Sequence, residues 1–244
     1  MRLSRIDNSF VPSACKFQIN PRVNPEALST DFRRTSRTQV ADFLPPDTAD
    51  SLYRSLQLLQ WSPQVRVDAS GECRASTRPP DLPGPDFACI YEMAAQEPVG
   101  SDFSRFVEFL NSPGFINFVE IVTGISGFHW VSGQVTCFRS GHFLNFHSDG
   151  YGSKSIAYAF NLNPGWKPDW GGILHFADDR QTICDSFVPR FNTLSLFAVP
   201  QLHCVSSIAP HAPTARYAIS GWLHRDPRRT APECAVREGS RAHP

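Results

Sequence analysis

Four side chains in the second half of the chain have the types and spacing to do chemistry together: His147, Asp149, His203 and Arg216. His147 and Asp149 lie in Phe143-Leu144-Asn145-Phe146-His147-Ser148-Asp149-Gly150. On an extended chain, residues two apart project to one face, so one metal ion could touch both. A His-x-Asp clip alone is a common pattern. A third ligand has to come from a distant strand, and the candidate is His203 in Phe197-Ala198-Val199-Pro200-Gln201-Leu202-His203, 203 − 147 = 56 residues further on. Two neutral imidazoles and one carboxylate leave three positions open on a metal, a donor set suited to non-haem iron(II). The lack of a thiolate disfavours a closed structural zinc site.

The other histidines are poorer ligands by context. His175 follows Gly171-Gly172 in mid-strand, and His211, His224 and His243 fall in loop or tail. Downstream of His203 runs Arg216-Tyr217-Ala218-Ile219-Ser220-Gly221-Trp222. Alternation puts Arg216, Ala218, Ser220 and Trp222 on one face, so a guanidinium and an indole point together. A buried Arg needs an anionic partner, because an unpaired interior charge is costly. No acidic residue is an obvious companion, and a bound dicarboxylate would meet the need through a forked contact.

These residues need a scaffold, and the chain after Gly124 reads as short strands punctuated by turns. Candidate strands cover 128–139, 143–147, 155–162, 172–177, 193–199, 203–208 and 215–224. Upstream, Phe103, Phe106, Val107 and Leu110, then Phe115, Phe118, Val119 and Val122, form two helical stripes broken at Ser112-Pro113-Gly114. Val40, Phe43 and Leu44 predict a short strand leading into an amphipathic helix from near Asp47, with Ala49, Leu52, Leu56 and Leu59 at helical spacing. The fold class these imply is α+β but mainly β: a double-stranded β-helix, or jelly roll, with N-terminal helices packed against its major sheet.

Residues 1–38 lack periodicity and read as an N-terminal arm, with Arg33, Arg34 and Arg37 as a solvated cluster. Residues 39–224 read as a single catalytic domain with the jelly-roll core at about 128–224, and 225–244 as a disordered tail. Between Ser62 and Phe87 stand Pro63, Pro79, Pro80, Pro83 and Pro85, too many for a regular helix or a central strand. That stretch reads as a long loop, with an edge hairpin through Val65 and Val67, and is proposed to fold as a lid over the barrel mouth. Arg139, His142 and Asn145 are substrate-contact candidates because they precede the clip on its strand.

Composition removes several function classes. Lys+Arg and Asp+Glu number 23 each among the 244 residues, so no net field recruits nucleic acid or an anionic membrane. Seven scattered cysteines with no Cys-x-x-Cys pair suit reduced thiols in a cytoplasm. Met1 to Phe17 lacks the apolar run of a signal peptide, and no later run reaches membrane-span length.

The order His147-x-Asp149, Trp166-x-x-x-Trp170-Gly171-Gly172-Ile173-Leu174-x-Phe176, Pro189-x-Phe191-Asn192, His203-x-Val205 and Arg216 to Trp222 resembles the iron(II)/2-oxoglutarate-dependent oxygenase superfamily, within it the prolyl-hydroxylase branch. The resemblance covers about residues 128–224. It implies that His147, Asp149 and His203 bind iron, that Arg216 pairs with the distal carboxylate of 2-oxoglutarate, and that Trp222 lines the cosubstrate pocket. The implied cofactors are Fe(II), 2-oxoglutarate and O2, with ascorbate as a candidate reductant. The implied reaction hydroxylates an unactivated C–H bond of a prolyl residue, a free amino acid or a related small molecule, releasing succinate and CO2. The substrate partner is accordingly a small molecule or a peptide, with no nucleic acid and no membrane. Two positions depart from the branch: Phe138 and Asn161 stand where pocket tyrosines are usual, and of these only Asn161 can donate a hydrogen bond. The alternative reading is a non-catalytic jelly-roll module that binds a metal or a carboxylate ligand for sensing. Completeness of the set His147, Asp149, His203 and Arg216 favours turnover, and Asp149 argues against the halogenating relatives that lack the carboxylate.

Overall fold

A computed structural model describes residues 17–66, 89–95, 101–149 and 154–227. The greater part of the proline-rich segment, Val67 included, and most of the tail lie outside these residues, as do the expectations of a lid and of a disordered tail.

Local signals in the sequence set the helices. Helix α1, Pro25–Thr35, is capped by Asn24, whose side chain accepts from the Ala27 N–H, and has Pro25 in its first turn. Ser36 ends it in a left-handed conformation at φ 57. Strand β1, Arg37–Val40, follows, then α2, Pro46–Gln57, burying Ala49, Leu52 and Leu56. Helices α3, Asp102–Leu110, and α4, Pro113–Thr123, are capped by the hydroxyls of Ser101 and Ser112, and Gly124 closes α4 at φ 69. The aperiodic reading of residues before 38 is therefore corrected: 25–35 is helical. Its apolar stripe is short, with Phe32 as the one large fully inserted side chain, which is why periodicity alone does not reveal it. No helix among the described residues is long and apolar enough to cross a membrane.

The remaining strands are β2 (Trp61–Arg66), β3 (Cys89–Ala94), β4 (Trp130–Val131), β5 (Gln134–Phe138), β6 (Phe143–His147), β7 (Lys154–Asn161), β8 (Leu174–Ala177), β9 (Ile183–Phe187), β10 (Thr193–Ala198), β11 (Leu202–Val205) and β12 (Arg216–His224). They form an antiparallel sheet in the order β1-β10-β7-β12-β5-β3-β6-β11-β8-β9, with β2 beside β3 and β4 beside β12. This is the expected jelly roll. Strands β3 and β9 have no counterpart in the sequence reading. The edge strand expected through Val65 is β2, which starts at Trp61, and its Pro63 is tolerated because among the described residues β2 pairs only with β3.

Strand β3 joins the two halves of the roll: Cys89 and Ile90 pair with β6, while Glu92 and Met93 pair with β5. The opposite seam, between β1 and β9, is held by side chains. Arg37 donates from Nε to Asp185 at 2.8 Å and from Nη1 to Gln201 at 2.7 Å, and its guanidinium lies 4.7 Å from the Phe176 ring centre. Arg37 is thus part of a clasp, not of a solvated cluster.

The main core lies between the helices and one face of β10, β7 and β12. Phe43 is its hub, with ring centres of Phe109, Phe115, Phe118 and Phe160 between 5.7 and 6.3 Å away. Phe17 and Phe32 join the same cluster, so the chain before β1 shares this core. Burying aromatic side chains of this size contributes about 1.5–3 kcal/mol each before entropic costs. The helices therefore brace one side of the sheet and leave its other side for the barrel interior.

Candidate metal centre and adjoining pocket

His147 is the last residue of β6 and His203 sits on β11 directly opposite it in the antiparallel register. Cross-strand partners share a face, so the two rings meet with centres 4.2 Å apart. Asp149 follows β6 by two residues and brings Oδ1 to 3.9 Å from His147 Nε2 and Oδ2 to 3.6 Å from His203 Nε2. All three residues are buried, and one ligand atom from each lies within 4.8 Å of the others. Among the described residues no other trio of His, Cys, Asp or Glu comes together in this way.

The protonation of this trio follows from its neighbours. His147 Nδ1 lies 2.9 Å from the Asn145 carbonyl and His203 Nδ1 lies 2.8 Å from the Gln201 carbonyl. A carbonyl oxygen can only accept, so both Nδ1 atoms carry the proton and both Nε2 atoms offer a lone pair toward Asp149. Burial holds His147 below the usual histidine range against the pull of Asp149. Burial, then the facing His147, does the same to His203. Neutral Nε2 donors beside a carboxylate are what a divalent metal requires.

The trio lines a cavity of about 330 Å3. Arg216, Ala218, Ser220 and Trp222 of β12 line the same cavity, the face that alternation predicts. Arg216 is buried at 3 % exposure. Its Nη2 donates to Asn161 Oδ1 at 3.3 Å, its Nε has no partner, and its guanidinium lies 5.1 Å from the Phe138 ring centre. Burial draws its pKa down, yet a guanidinium stays charged in proteins. Among the described residues no carboxylate pairs with it, so this end of the cavity presents an unbalanced positive charge.

The Trp-x-x-x-Trp-Gly-Gly sequence is what seats Arg216. Gly171 has φ 71, and a side chain there would run into the Ser207 carbonyl; a Cβ on Gly172 would come within 2.8 Å of Arg216 Cδ. The Trp166 indole donates to the Gly171 carbonyl at 3.0 Å and holds the loop in place.

Other candidates from the sequence sit differently. Phe138 lines the cavity, but Asn161 does not: its amide donates to the Ala159 carbonyl at 3.3 Å and lies 3.4 Å from Thr193 Oγ1, while its oxygen accepts from Arg216. Asn161 reaches the site through Arg216. Arg139, His142 and Asn145 do not line the cavity. Arg139 is paired with Glu92 at 2.9 Å, and Asn145 acts through its backbone carbonyl on His147. Sequence reasoning missed Tyr91, which stacks on Phe138 with ring centres 5.4 Å apart and, with Cys89 and Met93, lines the cavity from β3. The two-residue spacing of Cys89, Tyr91 and Met93 is the signal that could have found them. It also missed Phe197, packed edge-on to His203 at 4.8 Å.

With this geometry in place, comparison with known proteins shows what the chain is similar to. The family model of the 2OG-Fe(II) oxygenase superfamily matches residues 133–224, from β5 through β12. That stretch of the chain is similar to the superfamily. The donor set of the trio, two neutral imidazoles and one carboxylate, fits Fe(II), one of the two groups that superfamily is named for. A prolyl 3,4-dihydroxylase OGFOD1 from Ostreococcus tauri is 34% identical over 140 residues, covering 51% of this chain and 26% of that protein. The chain therefore spans about a quarter of that relative's length. Among solved structures, a prolyl-4-hydroxylase of Pseudomonas putida superposes with a TM-score of 0.57 at 16% identity, covering 83% of this chain and 100% of its own. A Trichoplax adhaerens prolyl hydroxylase in complex with a peptide fragment of the hypoxia inducible factor oxygen degradation domain gives 0.56 at 17% identity, covering 82% and 90%. These likenesses support the same fold.

Proposed function

We propose that the chain is an Fe(II)- and 2-oxoglutarate-dependent hydroxylase acting on a prolyl residue, with His147, Asp149 and His203 as the iron ligands and Arg216 as the partner of the distal carboxylate of 2-oxoglutarate. One observation carries the reading: a buried guanidinium with no carboxylate partner among the described residues opens onto the same cavity as a neutral two-imidazole, one-carboxylate cluster. A dianion that reaches from one to the other satisfies both.

Bound iron and 2-oxoglutarate supply, with O2, the oxidising power to replace a C–H hydrogen by hydroxyl, releasing succinate and CO2. The chain's own residues set the geometry. The Asn145 and Gln201 carbonyls fix the two imidazoles with Nε2 inward. Asn161 and the Phe138 ring hold the guanidinium plane, so its free N–H groups face the ligand. Ala157, Leu174, Phe197 and Val205 form apolar walls that exclude water. The catalytic unit takes in residues 39–224 and, through the core shared with Phe17 and Phe32, the residues before them.

A prolyl substrate is the class to test first, because the relatives named above are prolyl hydroxylases. The test is a panel of proline-containing peptides and free amino acids incubated with Fe(II), 2-oxoglutarate and air. A peptide that stimulates succinate formation and gains the mass of one oxygen atom on proline supports the reading. Stimulation confined to free amino acids would move the substrate to small molecules, and no stimulation by any member would favour the binding module.

A further inference from the structure

We propose that Trp222 is a positioning residue that restricts Asp149 to one coordinating oxygen and so keeps a position on the metal open for dioxygen; this rests on the metal assignment above. The Trp222 indole N–H donates to Asp149 Oδ2 at 2.9 Å. That bond spans the barrel, from β12 to the residue two beyond the end of β6. Among the described residues no strand pairing holds Asp149, since β6 ends at His147. The orientation of the carboxylate therefore depends on what its side chain touches, and the indole donates to it.

The count of coordination positions gives this bond its consequence. Two imidazoles and one carboxylate oxygen leave three positions. 2-Oxoglutarate, chelating as a 2-keto acid, would take two, and the third would be left for dioxygen. A carboxylate that swung both oxygens onto the metal would fill that third position. With the indole on Oδ2, the lone pair that would make this second bond is already engaged, and Oδ1 is the oxygen left for the metal. The ring itself is pinned from its face: Lys154 Nζ lies 4.0 Å from the Trp222 ring centre. A cation over the π face also draws electron density from the indole and makes its N–H a stronger donor.

The test uses Co(II) as the metal, because its visible absorption weakens as coordination number rises. Trp222→Phe keeps an aromatic ring under Lys154 and removes the N–H along with the second ring of the indole. The full chain with Trp222→Phe is expected to bind Co(II) about 10–100-fold more weakly than the unsubstituted chain by calorimetry, with weaker visible bands. Equal affinity together with an unchanged spectrum would overturn the proposal. Should Trp222→Phe not fold, the unsubstituted chain with 15N-labelled indoles gives the answer: loaded with Zn(II), the Trp222 Nε1–H is expected to resist hydrogen exchange. Exchange at the rate of a solvent-exposed indole would overturn the proposal as well. The two readings fail differently, since an unsubstituted chain that binds no Co(II) removes the metal assignment itself.

Discussion

On β7 and β12 the side chains that turn toward the helices are large and mostly apolar, whereas those that turn into the barrel, Trp222 apart, are small or polar. Ile156, Tyr158 and Phe160 of β7, with Ile219 and Leu223 of β12, are at most 1 % exposed within the helix-side core. Their neighbours Ala157, Ala159, Ala218 and Ser220 line the cavity, with Arg216 and Trp222 at intervals between them. One strand thus carries packing on odd positions and chemistry on even ones, or the reverse, as the two-residue period of a strand allows. Small residues inside leave room for a ligand; large ones outside hold the wall that faces it. Substitutions on the two faces should therefore separate stability from ligand binding.

The largest effect is expected on the helix side. Phe160→Ala removes a ring packed 5.1 Å from Phe106 and 5.8 Å from Phe43, and should lower the unfolding free energy by about 3–5 kcal/mol in denaturant titration. Folded protein that remains should still bind metal. An equal loss of metal affinity would show that the faces are not separable. Next comes Arg216→Ala, expected to weaken 2-oxoglutarate binding by about 2–4 kcal/mol, roughly 30- to 1000-fold. The apo protein should not lose stability, because an unpaired buried charge has been removed. Arg216→Lys keeps the charge but not the fork, so its loss in affinity should be smaller. Ala218→Leu fills the cavity from inside: 2-oxoglutarate affinity should fall at least about tenfold while stability changes by under about 2 kcal/mol. The smallest effect is expected away from both faces, at the β1–β9 seam. Arg37→Met should cost about 1–2 kcal/mol of stability by loss of its contacts to Asp185 and Gln201 and leave ligand affinity unchanged.

How much of this could be read beforehand depends on whether the signal is local. That His147 shares a face with Asp149, and Arg216 with Trp222, follows from the strand period, and the helix pair follows from its capping serines and the break at Pro113. That His203 is the direct cross-strand partner of His147 depends on register between strands far apart in sequence. Helix α1 carries too few apolar residues to show a stripe and is fixed by its Asn24 cap and by tertiary packing of Phe32. Strand β9 is exposed along most of its length, so it has no apolar alternation to read. Asn161 behind Arg216 and Trp222 behind Asp149 are the same kind of case: the residue types were visible, but the contacts run between strands or strand ends far apart in sequence.

The central claim is that the inward face holds iron at His147, Asp149 and His203 and 2-oxoglutarate at Arg216. Anaerobic titration of Fe(II) and then 2-oxoglutarate into the purified protein tests it most directly, read by the visible absorption band that iron and the chelated keto acid develop together. One iron per chain is expected, with the band appearing on addition of 2-oxoglutarate, absent in His147→Ala and Asp149→Ala, and needing far more 2-oxoglutarate in Arg216→Ala. A full band in either ligand variant, at the ligand concentrations the unsubstituted protein needs, would contradict the account.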